Sequence, residues 1–115
     1  MDAALVYASA KGEIDKVTIL LAMGARVDAR EQGFTPLLVA AQFGHTEVCE
    51  LLLANGSDLE ERRPRTLDTA LHSAALNGHQ SLLELLLSHK ADVNSRNRIE
   101  SAPQSSVLNV LSLKV

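Results

Sequence analysis

Apolar residues in this chain fall into short stripes of helical period, punctuated by glycine. In the middle third, Val48, Cys49, Leu51 and Leu52 stand at i, i+1, i+3 and i+4, the spacing that lines one face of a helix. Ahead of them Leu37-Leu38-Val39-Ala40-Ala41 follows Thr35-Pro36 and runs into Gly44. Threonine is a good N-cap and proline suits the first helical position, whose N–H has no partner in any case. Glycine takes the left-handed backbone that ends a helix. Gly44 and Gly56 therefore close two short antiparallel helices joined by a tight turn, the second reopening at His45-Thr46.

The same pattern occurs three times. Ala8-Ser9-Ala10-Lys11-Gly12, Ala40-Ala41-Gln42-Phe43-Gly44 and Ala74-Ala75-Leu76-Asn77-Gly78 recur at steps of 32 and 34 residues. The aliphatic triplets Ile19-Leu20-Leu21, Leu51-Leu52-Leu53 and Leu85-Leu86-Leu87 recur at the same steps. A period near 33 residues predicts a stack of like units in place of one globular core. Helices this short are not stable alone, since an isolated helix is marginal below about 12–15 residues. Stability must come from packing between units.

Between the helix pairs lie Ala25-Arg26-Val27-Asp28-Ala29-Arg30, Ser57-Asp58-Leu59-Glu60-Glu61-Arg62 and Ala91-Asp92-Val93-Asn94-Ser95-Arg96. They alternate small or apolar with polar residues, as short projecting arms do. Gly33-Phe34-Thr35-Pro36-Leu37, Thr69-Ala70-Leu71-His72-Ser73-Ala74-Ala75, Asn77-Gly78-His79 and Lys90-Ala91-Asp92-Val93-Asn94 resemble the ankyrin repeat position by position. The resemblance runs from residue 3 to about 96. It implies an all-α solenoid of stacked helix-turn-helix units with short β-hairpin fingers. Residues 1–30 would be an N-terminal capping-like repeat, 31–62 and 63–96 ankyrin repeats, and 97–115 a degenerate or truncated fourth repeat or C-terminal tail.

Departures from the pattern carry expectations of their own. The first unit lacks Thr-Pro before Leu5, which fits a terminal cap. The arm from Arg30 to Thr35 is one residue short, and the arm from Arg62 to Thr69 one residue long, so the second fingertip should be irregular. Lys90 stands where Gly24 and Gly56 stood. Ala102-Pro103 keeps register, but Gln104 and Ser105 replace Leu71 and His72. The sequence thus predicts a weak C-terminal end, losing amide protection from about Lys90 and self-associating weakly through exposed apolar surface.

Composition narrows the chemistry. The 115 residues include three aromatic side chains, Tyr7, Phe34 and Phe43, and the net charge is −3. That balance gives no basic field for nucleic acid. No run approaches the roughly 18 apolar residues of a membrane span, and the stretch before Lys11 does not read as a signal peptide. A cytoplasmic or nuclear protein is expected, with neither nucleic acid nor membrane as partner. Cys49 is the only cysteine; it excludes an intramolecular disulfide and reads as a small buried hydrophobe.

No constellation for catalysis, cofactor or metal stands out, and a non-enzyme without cofactor is expected. His45 and His79 recur with the repeat and suit structural hydrogen bonds. The resemblance implies that His72 ties a helix start to the neighbouring arm, and His89 lies at a helix end. Adjacent Glu60 and Glu61 point to opposite faces of an extended arm, which does not suit an acid–base pair.

All seven arginines lie in the arms, against eight acids there. Arg30, Arg62 and Arg96 repeat in register and should align in a row. Two readings stand: ion pairs across the arms, or a row of guanidinium forks for an acidic partner. The resemblance implies a non-catalytic scaffold or adaptor that binds a protein through its concave face of fingers and first helices. Candidate partner-binding positions are Arg30, Gln32, Phe34, Gln42, Phe43, Arg62, Arg63, Arg65, Leu67, Leu76, Asn77, Arg96 and Arg98. Phe34 and Phe43 are the expected anchors, with packing against the next unit as the other reading. An inhibitor blocking an enzyme such as a kinase, and a truncated, self-associating piece of a longer array, are the alternatives. Asn94, eight residues after Leu86, resembles the asparagines that an asparaginyl hydroxylase modifies in such repeats; a turn asparagine is the plainer reading.

Overall fold

The computed structural model describes residues 2–92. Six helices follow one another: α1 Asp2–Lys11, α2 Ile14–Ala22, α3 Pro36–Gln42, α4 Thr46–Ala54, α5 Ala70–Leu76 and α6 Gln80–Ser88. They pair as α1/α2, α3/α4 and α5/α6, and the pairs stack. α3 packs between α1 and α5 to form an inner row, and α4 lies against α2 and α6 in an outer row. The expected all-α solenoid is present.

Repeated residues fill repeated places. Leu5, Leu37 and Leu71 are buried in the inner helices, and Val17, Cys49 and Leu83 in the outer ones. Ala8, Ala40 and Ala74, with Ser9, Ala41 and Ala75 beside them, are buried as well, so side chains of one or two heavy atoms let inner helices approach closely. Each fully buried leucine contributes about 1.5–3 kcal/mol, and the inner and outer rows pack both within and between units.

The helix starts are built as the sequence suggests. The Thr35 hydroxyl accepts from the Leu38 N–H at 3.3 Å, and Pro36 takes the first helical position. At α5, Thr69 accepts from the His72 N–H at 3.4 Å while His72 Nδ1 accepts from the Thr69 N–H at 3.1 Å. These bonds of His72 close a reciprocal cap on its own helix, so His72 fixes the helix start.

Each unit is locked to the one before it by a histidine. His45 Nε2 donates to the Ala10 carbonyl at 2.9 Å and His79 Nε2 to the Gln42 carbonyl at 3.0 Å. The ring lies over the turn glycine of the preceding unit. A Cβ on Gly12 would sit 2.6 Å from His45 Nδ1, and one on Gly44 2.6 Å from His79 Nδ1. Both glycines also have left-handed backbone, φ 74° and 71°. Shape and conformation therefore demand glycine at the same place.

The fingers differ from expectation. Among the described residues there is no strand; the first finger is a single antiparallel bridge, Glu31 to Phe34, with N–H to carbonyl distances of 2.9 and 3.0 Å. Gln32 and Gly33 both have positive φ, 54° and 88°, the signature of a type I′ hairpin turn. The short arm leaves no further residues to pair, and the hairpin is reduced to its turn. The second finger is irregular, as its extra residue predicts. Arg63 N–H donates to Asp68 at 2.8 Å and Leu67 N–H to Arg63 at 3.1 Å, with Arg65 and Leu67 at φ 70° and 61°. Lys90 keeps the left-handed conformation of the glycines it replaces, φ 67°, which costs about 1–2 kcal/mol. The expected weakness and self-association beyond residue 92 fall outside the described residues.

The histidine seat separates two kinds of glycine. Gly56 is left-handed, φ 95°, with nothing within 4 Å of a Cβ, so Gly56→Ala should cost only the conformational penalty, about 1–2 kcal/mol. Gly44→Ala should cost more, because the His79 ring must also move. Urea denaturation of both variants checks this, and placing Gly44→Ala in a His79→Ala background should bring its cost down to that of Gly56→Ala.

Candidate partner-binding face

The exposed side of the inner row carries one large apolar side chain from each unit. Tyr7 is 54% exposed, Phe43 55% and Leu76 74%. Counted back from Gly12, Gly44 and Gly78 they stand five, one and two residues before the glycine. Positions three and four apart share a helix face, so the three project on the same side. Asn77 Nδ2 donates to the Gln42 carbonyl at 3.3 Å, which ties the end of α5 to the end of α3. Phe43 also lies near His45, ring centroids 6.3 Å apart.

The candidate residues fall into distinct environments. Phe43 is open to solvent, whereas Phe34 is half-buried beneath Arg63, whose guanidinium carbon lies 5.3 Å from the ring centroid. A cation over an aromatic face is attracted by the ring quadrupole, and here it joins the first finger to the second. Gln32 occupies a turn position and Leu67 a strained one, 44% exposed. Tyr7 was not singled out in the sequence, although it stands one helical turn before Lys11, the residue equivalent to Phe43.

The arginine row is present in part, and its forks are engaged by backbone. Arg30 donates through one nitrogen to the Gly33 carbonyl of its own finger and to the Arg62 carbonyl of the next, the latter at 3.3 Å. Arg62 in turn donates to the Leu67 carbonyl at 2.8 Å. Arg26 forms an exposed ion pair with Asp28 at 3.3 Å, which adds at most about 1 kcal/mol. Arg30 and Arg62 thus hold the fingers in shape, and Arg65 is the exposed arginine of the tip. Arg96, Arg98 and Asn94 lie outside the described residues.

Glu60 and Glu61 separate as expected. Glu60 accepts from the Asp92 N–H at 3.1 Å, bridging two arms. Glu61 faces inward, hydrogen-bonded to the Thr35 hydroxyl, with Oε1 buried and without a partner. Burial raises its pKa above the ordinary glutamate value; the Thr35 bond and Arg30 oppose this, and Asp58 and Asp28 add to it.

Burial raises the Cys49 thiol to about 12, so it stays protonated and unreactive at neutral pH. A depression of about 280 Å³ lies between the turns of the first two units, lined by Gly12, Ile14, Gly44, His45, Thr46, Glu47 and Val48; its histidine is already bonded to Ala10. Among the described residues no group of three or more His, Cys, Asp or Glu could hold a metal ion. No helix there is long and apolar enough to cross a membrane.

Two-helix units in one register, locked at each junction, make this chain a repeat solenoid. The profile for ankyrin repeats in three copies matches residues 5–97, and the chain belongs to the ankyrin-repeat family. It is similar to a rice protein named "Probable E3 ubiquitin-protein ligase XBOS33", 40% identical over 76 residues, 65% of this chain and 15% of that protein. The E3 ubiquitin-protein ligase XBAT33 of Arabidopsis thaliana is 37% identical over 78 residues, 67% of this chain and 15% of its own. The mouse 2-5A-dependent ribonuclease is 41% identical over 64 residues, 54% and 9% of the two lengths. The chain spans at most 15% of these three relatives. Ankyrin repeats are generally non-catalytic modules for protein–protein interaction.

Glu61 supplies a pH test. With its folded pKa raised, the native state binds the proton more tightly, so stability falls as pH rises from the unfolded value through the folded one. Glu61→Gln keeps an acceptor for Thr35 and removes the buried charge. The variant should be more stable than wild type at pH 7, and the difference should shrink at pH values below about 4.5, as read from urea midpoints.

Proposed function

We propose that this chain is a non-catalytic scaffold that binds a protein through the exposed side of its inner helices. The observation that carries this reading is the run of Tyr7, Phe43 and Leu76, one from each unit, on one side of the stack. Apolar side chains aligned on a rigid surface gain affinity by shedding water, and aromatic ones dominate such interfaces. Polar Gln42 and Asn77 adjoin Phe43 and Leu76 in the chain, tied to each other through the Gln42 carbonyl, and supply fixed hydrogen-bonding groups. Arg65 offers charge at the finger edge, which steers a partner more than it holds one.

The partner is a protein with an apolar segment that fits this strip; the fingers set its register. Arg30 and Arg62 contribute by keeping the finger geometry, through their bonds to Gly33, Arg62 and Leu67 carbonyls. Phe34 contributes in the same indirect way, as the platform under Arg63.

Partners captured on the wild-type chain by cross-linking and identified by mass spectrometry are to be re-measured with variants. Phe43→Ala and Leu76→Ala should each weaken binding about tenfold or more, equivalent to about 1.4 kcal/mol, with stability unchanged within about 0.5 kcal/mol because both side chains are exposed. Arg65→Ala should weaken binding more at low salt than at high salt. Affinity that ignores Phe43 and Leu76 and depends on Glu47 and Glu50 of the outer row would overturn the reading.

A further inference from the structure

The second fingertip combines features that the docking strip does not use. Arg62, Arg63, Pro64, Arg65, Thr66 and Leu67 follow one another, so Thr66 has arginine one, three and four residues before it and no acid between Arg62 and Leu67. Arg65, Thr66 and Leu67 are exposed. A guanidinium at a fixed interval from a hydroxyl is a mark that an acidic groove can read, because carboxylates bind guanidinium forks bidentately. Charge patterns of this kind are how protein kinases discriminate substrates.

The backbone is suited to being drawn into such a groove. Arg65 and Leu67 have φ 70° and 61°, conformations unfavourable for non-glycine residues, so straightening the tip relaxes both. Opening it breaks the finger's own bonds, Arg63 N–H to Asp68, Leu67 N–H to Arg63 and Thr66 N–H to Pro64, and leaves the helices in place. The Thr66 hydroxyl accepts from the Asp68 N–H at 3.3 Å, which leaves its own proton available for transfer. The residue after Thr66 is Leu67, so a proline-directed enzyme has nothing to read there.

We propose that Thr66 is a phosphoacceptor for an arginine-directed serine/threonine protein kinase with a nucleoside triphosphate as donor. Thr66 Oγ forms the new bond to the γ-phosphorus while the bond from that phosphorus to the bridging oxygen breaks. The hydroxyl proton passes to the kinase's base, and the nucleoside diphosphate leaves. The product carries about −1.5 to −2 charge at pH 7 where a neutral hydroxyl stood, offsetting the fingertip arginines. The steering that Arg65 gives the docking partner would then be offset, and association would slow. That consequence rests on the docking-face reading; the acceptor site itself does not.

The test uses the full chain with the catalytic subunit of an arginine-directed kinase and magnesium ATP, followed by intact-mass measurement and fragmentation. The expected result is one phosphoryl group on Thr66, none at that site in Thr66→Val, and a rate at least tenfold lower in Arg63→Gln. Because Arg63 also lies over Phe34, Arg65→Gln is measured beside it, with circular dichroism confirming that each variant is folded; it too should be slower. Absence of phosphate on Thr66 overturns the proposal. So does phosphate only on Ser101, which follows Arg98 at the same interval, or a rate indifferent to both arginines. Failure of the strip variants to affect partner binding would leave this result untouched, so the two readings fail separately.

Discussion

Everything in this molecule depends on how one unit recognises the next, and that recognition centres on an imidazole seated on a glycine. His45 reaches across to Ala10 over Gly12, and His79 repeats the contact to Gln42 over Gly44. Because a carbonyl oxygen only accepts, each bonding nitrogen carries the proton, which fixes the ring's orientation. The seat works only if the preceding turn has no side chain, and the same turn requires a left-handed backbone. Two independent demands thus fall on one residue. With helices of seven to ten residues, nothing within a unit offsets the entropy of ordering it, and the lock together with the leucine and alanine layers provides the missing stability.

The architecture was legible because its signals repeat. A single glycine or aliphatic triplet says little, but turn glycines and triplets that both recur at steps of 32 and 34 residues fix turns, helix ends and stacking order together. Cys49 could be assigned to the core because it shares the place of Val17 and Leu83. The fingers were less legible, since alternation of small and polar residues does not reveal how many backbone bonds will form. The first arm had the residues of a hairpin and the length for only its turn, and the bridge between Glu31 and Phe34 is what remains.

The environments of the candidate residues were less legible than their positions along the chain. Rarity of aromatics drew equal attention to Phe34 and Phe43, yet only the second is open; the other is covered by Arg63 from the following finger, a contact across units that no local pattern announces. Arginines in register suggested a row of free forks or ion pairs. Arg30 and Arg62 donate to finger carbonyls, a use of the guanidinium's several donors that residue type alone does not announce. Tyr7 escaped notice since its unit lacks a finger, and Glu61 since the sequence placed it beside Glu60 without showing that Thr35 would draw it inward.

These observations divide the solenoid into two edges with different tolerances. At the turn edge, glycine and histidine constrain one another so closely that few substitutions fit. At the finger edge, one arm is a residue short and the next a residue long, and both are accommodated without disturbing α3 or α5. The finger backbone bonds are local, and the longer side-chain reaches run to neighbouring arms and, from Glu61, to Thr35 at the start of α3. In this chain the finger edge carries the arginines and the strained tip, while the inner helices, held in register by the histidines, carry Tyr7, Phe43 and Leu76. The finger edge can therefore change shape and charge without loosening the seats that keep the units together.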